Sequence, residues 1–372
     1  MLTKLIRKIS YFILPFLVGM AFLSYQLFQS NEVLPNINSI VLSQEKTLTG
    51  FIYNEANIAH IKWSKINTLP KYDIWALGSS RVLGIREETF ELSFYNAGYI
   101  VSRIEHFEYL LKSVPTDKLP KYLILGLDQW AFNMAWDINT VQSFDDAWGT
   151  VNNFPDFYAL KGMASLILKG RYPLSGVSRS KTKRYGLNAI LNETGFRKDG
   201  SIYYGSVINR LLIDETVQSE IFLDTFKRID LGNKKFQYGD DVPTIFIDKL
   251  KELLAFCKEM NIEVVAFSPP FPDRVYDKMM ATGNYQYMVK LSGLIQETFK
   301  TYNYEYYNFP KVSLFGSSDL EVIDGFHGGE LAYGKMLFTM LQSGSKLNEV
   351  INIDSLDYHI KNPIDRYTLY DY

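Results

Sequence analysis

Residues 72–80 read Tyr-Asp-Ile-Trp-Ala-Leu-Gly-Ser-Ser, an apolar run that stops at a glycine and two serines. A short apolar run closed by turn residues is the pattern of a strand buried on both faces and feeding a tight turn. Working outward, residues 94–96 (Phe-Tyr-Asn) form a second short run, closed by Ala97-Gly98. Ile104, Phe107, Leu110 and Leu111 then recur at helical spacing, and residues 122–127 form a third apolar run after Pro120. Strand, helix and strand in this rhythm predict a parallel α/β sheet. The rhythm returns later. Residues 245–260 read as an amphipathic helix with Leu250, Leu253, Leu254 and Cys257 on one face. Residues 262–267 read as a strand ending in Ser268-Pro269-Pro270, 285–301 as a helix, 304–308 as a last strand and 331–341 as a closing helix. The expected fold is a three-layer α/β/α domain with a mostly parallel central sheet over residues 71–345.

Residues 131–241 break the pattern. They are rich in Trp, Tyr, Asn and Gly, carry a basic stretch at Arg179, Lys181, Lys183 and Arg184, and read as an insertion beside the site. Residues 31–70 read as a connecting segment, and residues 346–372 as a polar and aromatic tail. The 372 residues have a formal net charge of −2, so no basic field draws nucleic acid. The single cysteine, Cys257, excludes an internal disulfide and a cysteine-rich zinc site. No P-loop, dinucleotide fingerprint or His-Glu-x-x-His motif is present, so neither a metal nor a cofactor is expected.

At the N-terminus, Lys4, Arg7 and Lys8 precede an uncharged run from 10 to 28, close to the ~20 residues a bilayer-spanning helix needs. Residues 1–30 are therefore expected to be a single-pass anchor, with the N-terminus cytoplasmic and the remainder extracytoplasmic. A cleaved signal peptide is the alternative, although the run is long for one and no small-x-small site follows.

A serine just beyond the carboxyl end of a parallel strand lies where open α/β sheets place their ligands, which marks Ser80. A serine nucleophile needs a histidine base held by a carboxylate. Of the four histidines, only His327 lies in an Asp-x-x-His arrangement, Asp324-Gly325-Phe326-His327, directly before a helix. Separately, each motif has a bland reading, an ordinary turn and a helix cap.

Their order along the chain resembles the SGNH (GDSL-like) hydrolase superfamily, in which a Gly-Asp-Ser-like block opens a flavodoxin-like domain and Asp-x-x-His closes it. The resemblance implies a catalytic triad of Ser80, Asp324 and His327, with oxyanion donors from Ser80, Gly98 and the residue after the third strand. Asp128 stands where that superfamily has asparagine, and a carboxylate there repels an oxyanion. Gln129 is the expected substitute donor. The run Asp128-Gln129-Trp130-Ala131-Phe132, with Gly78-Ser79-Ser80 and Asp324, His327 and Gly329, also resembles the protein of D-alanyl transfer to teichoic acids. That likeness implies an esterase or O-acyltransferase acting on an envelope polysaccharide or teichoic-acid-like polymer, with a multi-spanning membrane acyltransferase as partner. A catalytically degenerate scaffold is the contrasting reading. Arg81 is a candidate for holding an anionic group, or else a structural ion pair. Trp130, Trp136 and Trp148 are candidates for stacking on sugar, or else core or lid packing.

Overall fold

A computed structural model describes residues 2–34, 36–43, 45–136, 154–177 and 183–371. Trp148, Arg179 and Lys181 lie outside the described residues. In chain order the strands are β1 (Leu48–Thr49), β2 (Ile74–Leu77), β3 (Phe94–Asn96), β4 (Tyr122–Gly126), β5 (Arg184–Tyr185), β6 (Thr194–Phe196), β7 (Ile202–Tyr204), β8 (Glu263–Ser268) and β9 (Glu305–Asn308). The helices are α1 (Leu2–Gln29), α2 (Asn38–Val41), α3 (Asn57–Thr68), α4 (Ile104–Lys112), α5 (Phe157–Leu168), α6 (Leu187–Asn192), α7 (Gly205–Ile213), α8 (Glu215–Leu231), α9 (Thr244–Glu259), α10 (Asp273–Thr282), α11 (Gln286–Tyr302), α12 (Glu330–Gln342) and α13 (Ile353–Lys361).

The main sheet is parallel, in the order β3-β2-β4-β8-β9. Every residue of β2 is buried, as are Leu123 to Gly126 of β4, because a parallel sheet covered on both faces has no solvent side. α4, α9 and α11 pack side by side, and α12 packs against α13, an arrangement compatible with three layers. α9 buries Ile247, Leu250, Leu253, Leu254 and Cys257, the stripe its spacing predicts.

The stretch 31–70, expected to be a connector, instead carries α3 and β1. A second, mixed sheet joins β1 to three strands of the insertion in the order β5-β1-β6-β7. Glu32 pins this lobe together. One carboxylate oxygen accepts from the Ile52 and Tyr53 N–H groups at 2.8 and 2.5 Å, and the other from Leu187 N–H at 2.7 Å. From α3, the buried Lys62 reaches into the main domain and donates to the Asn96 and Gly98 carbonyls at 3.0 and 2.6 Å. Burial pushes its pKa well below the ordinary lysine value. The tail also has a place. The Tyr367 carbonyl accepts from the first N–H of α12 at 2.7 Å, and the Tyr370 and Thr89 hydroxyls lie 3.2 Å apart.

α1 covers the expected anchor, but no described helix is long and apolar enough to cross a membrane. The apolar run is divided. Ile13, Leu14, Phe16, Leu17 and Val18 are exposed on either side of Pro15. Farther along, Leu27 is buried, Met20, Leu23 and Phe28 pack against the apolar face of α5, and the Gln26 amide donates to the Leu174 carbonyl at 3.0 Å. The carboxyl-terminal part of the run is thus part of the fold and does not project from it.

Candidate active site

Parallel register brings the carboxyl ends of β2, β4 and β8 together, with Leu77 opposite Leu125 and Gly126 opposite Phe267. Strand order reverses around β2, so the crevice forms at the end where open α/β sheets bind ligands. Two glycines allow the loop after β2 to fold inward. A Cβ on Gly78 would lie 2.7 Å from a Val82 methyl, and one on Gly126 would lie 2.3 Å from the same methyl.

Ser80, His327 and Asp324 form one hydrogen-bonded line. The Ser80 Oγ lies 2.9 Å from His327 Nε2, and His327 Nδ1 lies 2.9 Å from one Asp324 oxygen and 3.1 Å from the other. Asp324 also accepts from the Phe326 and His327 backbone N–H groups, each at 2.7 Å. The carboxylate therefore shapes the turn that carries the imidazole. Burial raises its pKa, but the His327 charge and these hydrogen bonds outweigh burial and hold it below the ordinary aspartate value. About a third of its side chain, 32%, is still open. With a neutral ring, Nδ1–H faces Asp324 and the Nε2 lone pair faces the serine hydroxyl, the arrangement of a general base. Ser79 points elsewhere, and its Oγ accepts from the Arg81 N–H at 3.2 Å and caps the short turn.

Arg81 does not face a substrate. It is 0% exposed, and its guanidinium donates to Asp128 at 3.1 Å, Gln129 Oε1 at 3.2 Å, the Phe326 carbonyl at 3.2 Å and the Pro269 and Pro270 carbonyls at 2.7 Å each. The rings of Phe271 and Phe326 lie 4.1 and 4.6 Å from it. One side chain thereby ties the serine loop, the loop after β4, the loop after β8 and the histidine loop together. Asp128 is the counter-ion of this buried pair, which neutralises the charge that reads from sequence as hostile to an oxyanion. Removing one member of such a pair costs about 3–5 kcal/mol.

The expected oxyanion donors differ from the arrangement observed. The Gln129 amide donates one of its two N–H groups to the Pro269 carbonyl at 3.1 Å, and its oxygen accepts from Arg81, so these two bonds fix the amide's orientation. The Gly98 N–H donates to Asn96 Oδ1 at 3.1 Å, and the Asn96 amide in turn donates to the Val82 and Ile85 carbonyls. The Ser80 N–H makes no hydrogen bond within the described residues. Trp130 is buried, with Trp136 edge-on at 4.4 Å, so of these two tryptophans only Trp136 lines the open cleft.

That cleft, about 400 Å³, is lined by His327 and Asp324 together with Arg228, Lys234 and Lys235. The three cations come from the end of α8 and the turn after it, in the insertion, and sequence reasoning did not single them out. Gly232 caps α8 in the left-handed region at φ 58°, and Lys234 and Lys235 follow at φ 51° and 77°. A left-handed residue with a side chain costs roughly 1–2 kcal/mol. The only sequence signal was Gly232-Asn233 closing a helical run immediately before two lysines. The Tyr204 ring, from β7, lies 6.2 Å from His327 and adds a wall from the small sheet. In comparisons with known proteins, no family model, no curated protein and no solved structure matches this chain.

Proposed function

We propose that the chain is a serine esterase or O-acyltransferase of the SGNH type. The observation that carries this reading is the Ser80–His327–Asp324 line, which has both hydrogen bonds at 2.9 Å and borders an open cleft. In the proposed mechanism, the Ser80 hydroxyl attacks an ester carbonyl while His327 Nε2 takes its proton. His327 then returns the proton to the leaving alkoxide, and Asp324 holds the ring and stabilises the imidazolium. The Ser80 N–H is the donor best placed for the oxyanion. Gly98 joins it only if substrate draws its N–H away from Asn96, and Gln129 has a second amide N–H besides the one given to Pro269. Water as the second nucleophile gives hydrolysis, and a sugar or polyol hydroxyl gives acyl transfer.

The proposed substrate is an envelope polysaccharide or teichoic-acid-like polymer, with a multi-spanning membrane acyltransferase as a partner. Membrane attachment belongs to the same proposal and rests on the exposed apolar side chains of α1 between Ile13 and Val18. The occupied Gly98 donor favours one second reading, a scaffold of this type that binds polymer without turning it over. Hydrolysis of a neutral p-nitrophenyl ester separates the two. Turnover lost in both Ser80→Ala and His327→Ala supports the enzyme, and turnover equal in all three proteins leaves the scaffold. Comparison of envelope ester content with and without the chain then tests the polymer.

A further inference from the structure

We infer that the cleft takes an ester carrying an anionic group, a carboxylate or a phosphate, and that the Lys235 ammonium holds that group. The inference rests on the serine reading above and adds the charge of its substrate. Of the five charged residues lining the cleft, Asp224 is ion-paired with Arg228, and Asp324 is occupied by His327. Lys234 and Lys235 form no ion pair among the described residues, so the lining carries an excess of positive charge. Arg228 Nε is also buried with no hydrogen-bond partner.

Lys235 is the cation that the fold positions. Its ammonium lies 4.5 Å from the centre of the Trp130 ring and 5.5 Å from that of Phe326, the residue before the histidine. Aromatic faces orient a cation but leave it able to bind an anion. Burial lowers its pKa, only partly offset by Asp128, which is itself bonded to Arg81. The turn presenting Lys235 is held in its left-handed conformation by hydrogen bonds on both sides. The Asn233 N–H donates to the Arg228 carbonyl at 3.2 Å, the Phe236 N–H to the Asn233 carbonyl at 3.0 Å, and the Tyr285 hydroxyl to the Phe236 carbonyl at 2.8 Å. Unfavourable backbone that the surroundings over-determine is a mark of functional positions. Here it places at the same cleft as the triad a cation that has no counter-ion among the described residues.

The test compares p-nitrophenyl hemisuccinate with p-nitrophenyl butyrate, which have acyl chains of equal length and differ in charge. The native protein should show the higher kcat/KM on the hemisuccinate. Lys235→Met, which keeps a long unbranched side chain and removes the charge, should lower the ratio of the two by roughly tenfold or more, as loss of a charged hydrogen bond does. Lys235→Arg should recover much of it. A native ratio at or below one, or a ratio that Lys235→Met leaves unchanged, overturns the inference. A second measurement needs no turnover. Inorganic phosphate or succinate should raise the Tm of Ser80→Ala but not of the Ser80→Ala/Lys235→Met double variant. The anion that stabilises more identifies the group, and stabilisation by neither, or equally in both proteins, overturns the inference. Failure of the serine reading looks different: the native protein lacks Ser80-dependent turnover while anion stabilisation persists.

Discussion

Two cations flank the Phe326 ring and show how the two halves of the site differ. Arg81, on the loop after β2, is fully buried and directs its donors at five protein acceptors. Lys235, on the turn after α8, is partly open and has no counter-ion among the described residues. The loops of the parallel sheet thus bond to one another around Ser80 and His327. The insertion leaves bonding capacity facing the cleft. A buried charge whose donors are all satisfied is a strut, and a positioned charge without a partner is a contact for something else.

The contrast can be broken by substitution. The largest effect belongs to the triad: Asp324→Asn should retain the loop and lower kcat by about 10⁴-fold, because the ring loses the tautomer that exposes Nε2 to Ser80. A fall below tenfold in ester turnover would detach Asp324 from the chemistry. Next, Arg81→Met should cost about 3–5 kcal/mol by stranding Asp128 in the interior, read from urea unfolding. Lys62→Met should cost less, about 1–3 kcal/mol, since the Asn96 and Gly98 carbonyls lose their donor. Lys235→Met should change stability by less than about 1 kcal/mol, the scale of a cation–π contact. If Lys235→Met unfolds as readily as Arg81→Met, the division between strut and contact collapses.

A smaller effect concerns pH. The folded-state pKa of Asp324 lies below its ordinary value, so the carboxylate stabilises the fold above that value. This contribution is lost as pH falls through the depressed pKa. The Tm of the native protein should therefore drop more steeply in acid than that of Asp324→Asn. Parallel acid limbs would mean that Asp324 contributes no such linkage.

The legible part of the molecule was local. Residues 74–77 announce a buried strand by apolar run and turn, and Asp324 and His327 sit three apart on one turn, so both could be read from sequence. The small sheet could not. β1 and β5 are two residues each, and their pairing is set by contacts such as Glu32 with Leu187, 155 residues apart. Asp128 reads as a defect until Arg81 is seen beside it, and the bonds that orient the Gln129 amide, to Pro269 and Arg81, come from loops far away in sequence. Residues 10–28 read as one uncharged apolar run because composition cannot tell that Leu27 is buried against the fold while Ile13 to Val18 are exposed. Lys235 was invisible because the proposal for it rests on a backbone conformation and on the lack of a counter-ion among the described residues.

The most direct test is to label the native protein with a fluorophosphonate and map the adduct by peptide mass spectrometry. Phosphonylation is expected at Ser80, absent from Ser80→Ala and sharply reduced in His327→Ala, with Ser79→Ala still labelled. An adduct on Ser79, or labelling that survives in both Ser80→Ala and His327→Ala, would contradict it.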